Sequence, residues 1–323
     1  MKLAMLNVSM ESHPAVMLSS GGYIDIKVAS DAGLFKGTAP SSIRDILHAR
    51  HDHLGSVQRL LDSAESNSGN TFERLSDCAG VISAEEAVLL EPLRPTFILC
   101  TGGSFLAHIR EMGIAPPEAP GAFIKAPHTI TGPRGRILLP PTASSMIDFE
   151  CEFACVFDRH CHNVSPEAAL DCIGGYTMIN DVSARDSAAD WFRSLTENNP
   201  KRSCDLWDRV VLGKQYPTFC PIGPVVVTKD ELTDPHDVHV KTTLNGKVMQ
   251  SAHTGGLAFP IAKVISHFSR WHVFEAGDII STGSPAGVGY AHDPKVFLRP
   301  GDLVEVEGSR IGALRNNVTA TLI

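Results

Sequence analysis

Three carboxylates stand at alternate positions of one short stretch, DFECEF at 148–153: Asp148, Glu150 and Glu152, interleaved with Phe149, Cys151 and Phe153. Such alternation is the two-residue period of a pleated strand, which puts the acids on one face about 6–7 Å apart. Like charges that close repel and raise each other's pKa. Either the face is open to water, or a cation sits over it. Glu150 and Glu152 are hard oxygen donors of the kind that Mg²⁺, Mn²⁺ and Ca²⁺ prefer. A divalent ion usually needs a third carboxylate, and YTMINDVSARD at 176–186 offers Asp181 at the end of the next predicted strand. Sequential strands often pair, so Asp181 can reach the first two acids. On the pattern alone, a solvent-washed acidic face and a metal site both stand.

A second constellation lies upstream, in GGSFLAHIREMG at 102–113. His108 and Glu111 are three residues apart, so on a helix they share a face within hydrogen-bonding reach. A carboxylate holding one imidazole nitrogen leaves the other free to take a proton from water, the geometry of a general base. The competing reading is a salt bridge on an exposed helix turn. The glycine pair before the helix suits a hinge for a mobile active-site segment. Other catalytic motifs are missing. There is no GxxxxGK[ST] phosphate cradle, GVGYAH lacks the third glycine of a dinucleotide site, and Ser284 in STGSPAG lacks the GxSxG elbow. None of the eight cysteines forms a CxxC pair, and CEFACVFDRHCH lacks the paired spacings of structural zinc. Buried, reduced thiols are expected.

These residues need a scaffold, and the chain of 323 residues, 43% hydrophobic and 20% charged, has apolar material for a large core. The first 90 residues read as a small α+β domain. KLAMLNV, AVMLSS and YIDIKVA are short strands, and residues 41–66 form two helices. His48 and His51 fall on one face if the first of these helices continues through them, with His53 close by, which permits a metal site on what is otherwise an exposed helix. Residues 91–323 are β-rich: TFILC, GAFIKA, DFECEFACVF, GGYTMIND, GPVVVT, VHVKTTL and DLVEVE recur between Gly, Pro and Asn, and LNGK at 244–247 signals a type I′ hairpin. Helices are few, and regular βα alternation is lacking, so the fold class is β-rich α+β. The polar, aromatic-tipped stretch 190–217 has the texture of a lid or partner contact. A formal charge of −8 and the lack of a basic block argue against nucleic acid as partner, while leaving room for a small anionic substrate. No run reaches the roughly 20 apolar residues of a membrane span, and the N-terminus turns polar too early for a signal peptide, so a cytoplasmic location is expected.

Taken in order, HIREMG, FIKAP, DFECEF, GGYTMINDVSARD, GK…FCPIGP, GDIISTGSPAGVG and RPGDLVEVEGSRIGAL form a succession that closely resembles the fumarylacetoacetate hydrolase superfamily, over roughly residues 96–320. The resemblance implies a mixed β-sandwich roll for the catalytic domain, a variable N-terminal domain, and a homodimer. It implies Glu150, Glu152 and Asp181 as ligands of Mg²⁺ or Mn²⁺, with Ca²⁺ a third candidate, and Asp148 as a neighbour that is not itself a ligand. His108 and Glu111 match the water-activating dyad. Lys125 and Lys214 match active-site lysines. Thr282, with the adjoining amides including that of Gly283, matches the holder of a substrate carboxylate. Arg185 matches a residue beside the pocket, with an ion pair to Asp186 or Asp181 as its alternative role. Two departures stand out: Ser104 and Phe105 replace the family's asparagine–tyrosine pair, and Gly283, Ser284 and Pro285 stand where the family usually reads G-T-P.

The activity implied is C–C bond hydrolysis of an acylpyruvate or fumarylpyruvate. The ion and a lysine would stabilise the enolate charge, and His108, oriented by Glu111, would activate the water. Decarboxylation of oxaloacetate-like acids, or isomerisation and hydration of 2-hydroxydienoates, are the alternatives on the same scaffold.

Overall fold

Among the described residues, runs of Val, Ile, Phe and Cys with turn residues between them become two large sheets and a two-stranded pair. The computed structural model describes residues 1–141, 145–206 and 208–321. The larger sheet runs, edge to edge, Val81–Ile82, Tyr23–Asp25, Glu11–Met17, Lys2–Val8, Cys220–Thr228, Ile173–Asn180, Cys151–Phe157, Ile279–Ser281, Ile98–Gly102 and Gly121–Lys125, with Ile130–Thr131 pairing beside Cys220–Thr228. The smaller sheet is Lys247–His253, His239–Leu244, Leu303–Gly308, Gly312–Ala320 and Arg136–Leu139.

Cys151–Phe157 and Cys220–Thr228 are buried along their whole length, because the large sheet is covered on both faces. On one face, Phe153, Tyr176 and Val225 pack toward Val240 and Val306 of the small sheet and toward Ile265 and Phe268 of the Ile261–Ser269 helix. On the other, Ala154, Val156 and Ile179 join Leu3, Val16, Ile24, Val57 and Leu60. The first residues therefore continue the catalytic sheet. Lys2 pairs with Val227 and Leu3 with Val226, so strands from both sides of residue 90 share one sheet and one core.

The acidic stretch is not one continuous strand. Ile147–Asp148 pairs with Ser183–Ala184, regular pairing resumes at Cys151, and Phe149 and Glu150 occupy the break. There the Glu150 amide donates to the side chain of Asn180 on the neighbouring strand at 3.0 Å instead of to a backbone carbonyl. The alternation still holds beyond the break. Cys151, Phe153, Cys155 and Phe157 face the small sheet, and Ala154 and Val156 face away from it.

The helices between 41 and 66 form as Ile43–Leu47 and His53–Glu65, with Ser42 accepting from the Asp45 amide at the first N-terminus. His48 closes the first helix, His51 lies in the turn and His53 opens the second, so the three histidines share no helix face; the His51 and His53 rings stack at 5.1 Å. The hairpin at 244–247 has the expected left-handed pair, Asn245 at φ 51° and Gly246 at φ 80°. A second left-handed pair, Ser9 and Met10, turns the first hairpin without any glycine. All eight cysteines are free; Cys151 and Cys155 are buried, as expected, while Cys78 and Cys204 are exposed. The stretch after Ala184 folds into helices Arg185–Thr196, Pro200–Leu206 and Arg209–Leu212; Trp207 within it lies outside the described residues. Among the described residues no helix is long and apolar enough to cross a membrane.

Candidate active site

Antiparallel pairing of Cys151 with Asn180 brings the break at Glu150 against the end of the neighbouring strand, and the Asp181 amide donates to the Glu150 carbonyl at 2.9 Å. Glu152 follows on the same side. The result is three buried carboxylates with an oxygen from each within 4.8 Å of the others. The open-water reading of the acidic face is thereby excluded.

Cations from distant parts of the chain meet this cluster. Lys214 Nζ donates to Glu150 Oε2 at 2.7 Å, to Asp181 Oδ2 at 2.5 Å and to Ser183 Oγ at 2.7 Å. Lys125, fully buried, donates to Asp181 Oδ1 at 2.6 Å and to the Lys214 carbonyl at 2.7 Å. Arg185 bridges Asp148 Oδ2 at 2.8 Å and Glu150 Oε1 at 2.5 Å. These are the partners of Arg185, rather than the Asp186 or Asp181 pairing weighed from the sequence. Four carboxylates thus face three cations, and the chain's own Lys125, Lys214 and Arg185 offset part of the repulsion among them.

The acids differ in consequence. Burial opposes ionisation of Glu150, yet Arg185 and Lys214 hold its carboxyl well below the usual carboxylate range. Glu152 goes the other way. Burial first, then the charges of Asp181 and Glu150, push its carboxyl well above that range. Ser281 Oγ donates to Glu152, and among the described residues no cation forms an ion pair with it. A buried carboxylate that shares a site with two others and lacks an ion pair fits a hard divalent cation, for which this all-oxygen donor set is suited. Glu150, Glu152 and Asp181 would hold it.

His108 and Glu111 lie on the short helix Leu106–Glu111, and His108 Nδ1 stands 2.8 Å from Glu111 Oε2. Of the pair, His108 is half-buried and Glu111 is exposed. His108 lines a cavity of about 240 Å³ together with Glu150, Glu152, Ser183, Arg185, Lys214 and Ser284. The rest of the lining includes the apolar side chains of Ile109, Met112, Ile114, Phe123 and Val210. Lys214 Nζ stands 4.8 Å from the Phe123 ring centre, a cation–π distance.

Of the expected site residues, Glu111, Asp181, Lys125, Thr282 and Gly283 are not among those that line this cavity. The Thr282 hydroxyl donates to the Phe153 carbonyl at 2.9 Å, and Thr282 lines a narrow crevice with Gly102, Gly103, Leu257 and Phe259. Gly283, at φ 78°, lets the backbone approach Ser104, whose Oγ would lie 2.7 Å from a Cβ added there. Lys125 lies beneath Asp181, where it holds that carboxylate. Ser183, Ser281 and the apolar walls were not singled out from the sequence. Ser183 lies within NDVSARD and Ser281 within GDIISTGSPAGVG, whereas nothing in the local pattern marks Phe123 or Val210 as cavity walls.

The model of the fumarylacetoacetate (FAA) hydrolase C-terminal domain matches residues 97–319. The chain belongs to the fumarylacetoacetate hydrolase family. It is 33% identical over 301 residues to the oxaloacetate tautomerase FAHD2A of Bos taurus, covering 93% of this chain and 85% of that one. Among solved structures it is similar to the fumarylacetoacetate hydrolase of Exiguobacterium antarcticum, at 28% identity and a TM-score of 0.72 over 99% of this chain and 100% of that one. A probable 2-hydroxyhepta-2,4-diene-1,7-dioate isomerase from Mycobacterium abscessus matches at 25% identity and a TM-score of 0.74, covering each chain fully. The protein is thus an enzyme of this family, whose members here carry names of three different reactions. The bovine relative's name places it in mitochondria, which gives no support to the cytoplasmic expectation.

Proposed function

We propose that this enzyme interconverts the keto and enol forms of a 2-oxo acid of the oxaloacetate type, with the help of Mg²⁺ or Mn²⁺. The observation that carries this reading is that His108, held through Nδ1 by Glu111, lines the same cavity as Glu150 and Glu152. With Nδ1 engaged, Nε2 is the proton-transfer atom, and it takes the proton from one position of the acid and returns it to the other. Lys214 and Arg185 supply positive charge where the substrate's carboxylate and developing enolate oxygen would lie. A bound divalent ion would supply Lewis-acid polarisation of the 2-oxo carbonyl. The likeness to a named oxaloacetate tautomerase supports the same reading.

A second reading is favoured by the apolar walls. Ile109, Met112, Ile114, Phe123 and Val210 suit an acyl tail better than the second carboxylate of oxaloacetate. It is the hydrolysis of an acylpyruvate, in which His108 deprotonates a water. Decarboxylation and dienoate isomerisation need the same cluster without that water.

The test is a panel with Mg²⁺ or Mn²⁺: decay of oxaloacetate enol absorbance, and pyruvate release from acylpyruvates. Enol decay accelerated by the enzyme and lowered about 10²- to 10⁴-fold in His108→Ala is the expected result. Acylpyruvate hydrolysis with the higher kcat/KM would install the second reading, and indifference of both reactions to His108→Ala would remove the dyad from either.

A further inference from the structure

The segment 284–290, beyond the Ile279–Ser281 strand, touches both halves of the site, and apart from Ser284 in the cavity lining it has no role in the machinery described so far. At one point it holds the dyad: the Gly287 amide donates to the Glu111 carboxylate, at 2.9 Å to Oε1 and 3.2 Å to Oε2. At two other points it is fixed to the carboxylate strand. Gln250, buried on the Lys247–His253 strand, donates through Nε2 to Ser284 Oγ and to the Pro285 carbonyl, both at 2.9 Å. Its Oε1 accepts from the Cys151 amide at 2.9 Å and from Thr242 Oγ1 at 2.8 Å. Cys151 is the residue between Glu150 and Glu152. Asp148, fully buried, accepts from the amides of Gly289 at 2.7 Å, Tyr290 at 3.0 Å and Phe149 at 2.8 Å.

We propose that Gln250 and Asp148 are positioning residues for proton transfer: through the 284–290 loop they set Glu111, and so His108, relative to the carboxylate cluster. The inference rests on the reading of His108 and Glu111 as the proton-transfer pair. The helix that carries the dyad has six residues and no side-chain cap at its N-terminus. Two turns of helix cannot fix their own orientation to the precision that proton transfer requires. The loop supplies what the helix lacks. Gln250 and Asp148 fix its two ends to backbone amides on either side of Glu150, and between them Gly287 presents its amide to Glu111. Close packing leaves the loop no room to slide. A Cβ at Gly287, where φ is 93°, would stand 2.3 Å from the Met249 carbonyl, and one at Gly289 would stand 1.9 Å from the Val296 carbonyl. The dyad is thus registered to the carboxylates through the loop, which Glu111 bonds at Gly287 and which Gln250 and Asp148 tie to the backbone beside Glu150.

The test is a double-mutant cycle with Gly287→Ala and Glu111→Gln, measured on whichever 2-oxo acid the enzyme turns over, alongside Mn²⁺ affinity by titration calorimetry. Gly287→Ala should lower kcat about 10- to 100-fold, with Mn²⁺ affinity and KM within about twofold of wild type. Combined with Glu111→Gln it should add little, because both changes break one link. Gln250→Leu should behave as Gly287→Ala does; should that variant fail to fold, the Gly287 cycle decides. Effects that multiply in the cycle, or an unchanged kcat in Gly287→Ala, would overturn the proposal. Loss of Mn²⁺ affinity in parallel with kcat would also overturn it, since the loop would then support the whole site and not the dyad. His108→Ala separates the two levels. If it leaves turnover intact, the proton-transfer reading fails; if it abolishes turnover while the cycle is additive, only the positioning role fails.

Discussion

Lys125 and Asp181 show how much of this site is electrostatic design of the interior. Both are fully buried and 2.6 Å apart, and each has other polar partners around it. A buried pair of this kind costs more to break than to build, because removing one member strands the other's charge away from water. Lys125→Met should therefore destabilise the protein by about 3–5 kcal/mol, read as a lower midpoint in urea unfolding; an unchanged midpoint would mean that Asp181 finds its compensation elsewhere. Glu150→Ala bears on the ion. Mg²⁺ or Mn²⁺ at about a hundred times its dissociation constant should stabilise the wild type by about 2.7 kcal/mol, and that upward shift in Tm should vanish in the variant and on addition of chelator. A shift of equal size in Glu150→Ala would take Glu150 out of the ligand set.

Elements add constraints that single residues do not reveal. The excursion from Arg185 to Lys214 starts and ends on Glu150: Arg185 opens its first helix, and Lys214 follows its last. The long polar stretch is thereby tied down at both ends by the acid it helps to enclose. In the small sheet, Glu305 lies opposite Arg315 on one neighbour and Thr243 on the other, bonding Arg315 and accepting from Thr243 Oγ1 at 3.0 Å. The Arg315 hydrogen bond outweighs burial and lowers the Glu305 carboxyl below its ordinary value. A depressed folded pKa stabilises above the unfolded value and loses that contribution as pH falls through the folded one. Glu305→Gln should thus be less stable than wild type at neutral pH by about 0.5–1 kcal/mol. The gap should close as pH drops below the ordinary carboxylate range, followed by denaturant unfolding across pH. A gap that persists in acid would assign the effect to packing and not to charge.

At the scale of the molecule, the N-terminal residues and the catalytic residues share one sheet and one core. Leu3, Val16 and Val57 pack with Ala154, Val156 and Ile222, and removal of the first 90 residues would bare both that apolar face and the edge of Cys220–Thr228. Exposed edges and apolar faces of that size invite aggregation. The full chain should unfold in one cooperative transition by calorimetry, and a fragment of residues 91–323 should fail to reach native near-ultraviolet dichroism. Two resolved transitions, or a stable fragment, would show that the sheet divides after all.

The amino-acid sequence by itself determined whatever depends on local backbone geometry. The two-residue period marked the strand and its two faces over 151–157, the three-residue spacing of His108 and Glu111 marked a facing pair, and Asn245–Gly246 marked its turn. Each of these follows from dihedral preferences over a few bonds, and together with the ordered motifs they were enough to point to the family. Other features were decided only by tertiary structure. Lys125, Arg185 and Lys214 converge on the acids from three separate segments, the strand breaks at Phe149–Glu150, the first strand adds to the catalytic sheet, and the Thr282 hydroxyl turns to the Phe153 carbonyl. The partner of a charge or the neighbour of an edge strand is set by which distant segments bury the most apolar surface together, and no local pattern encodes that choice.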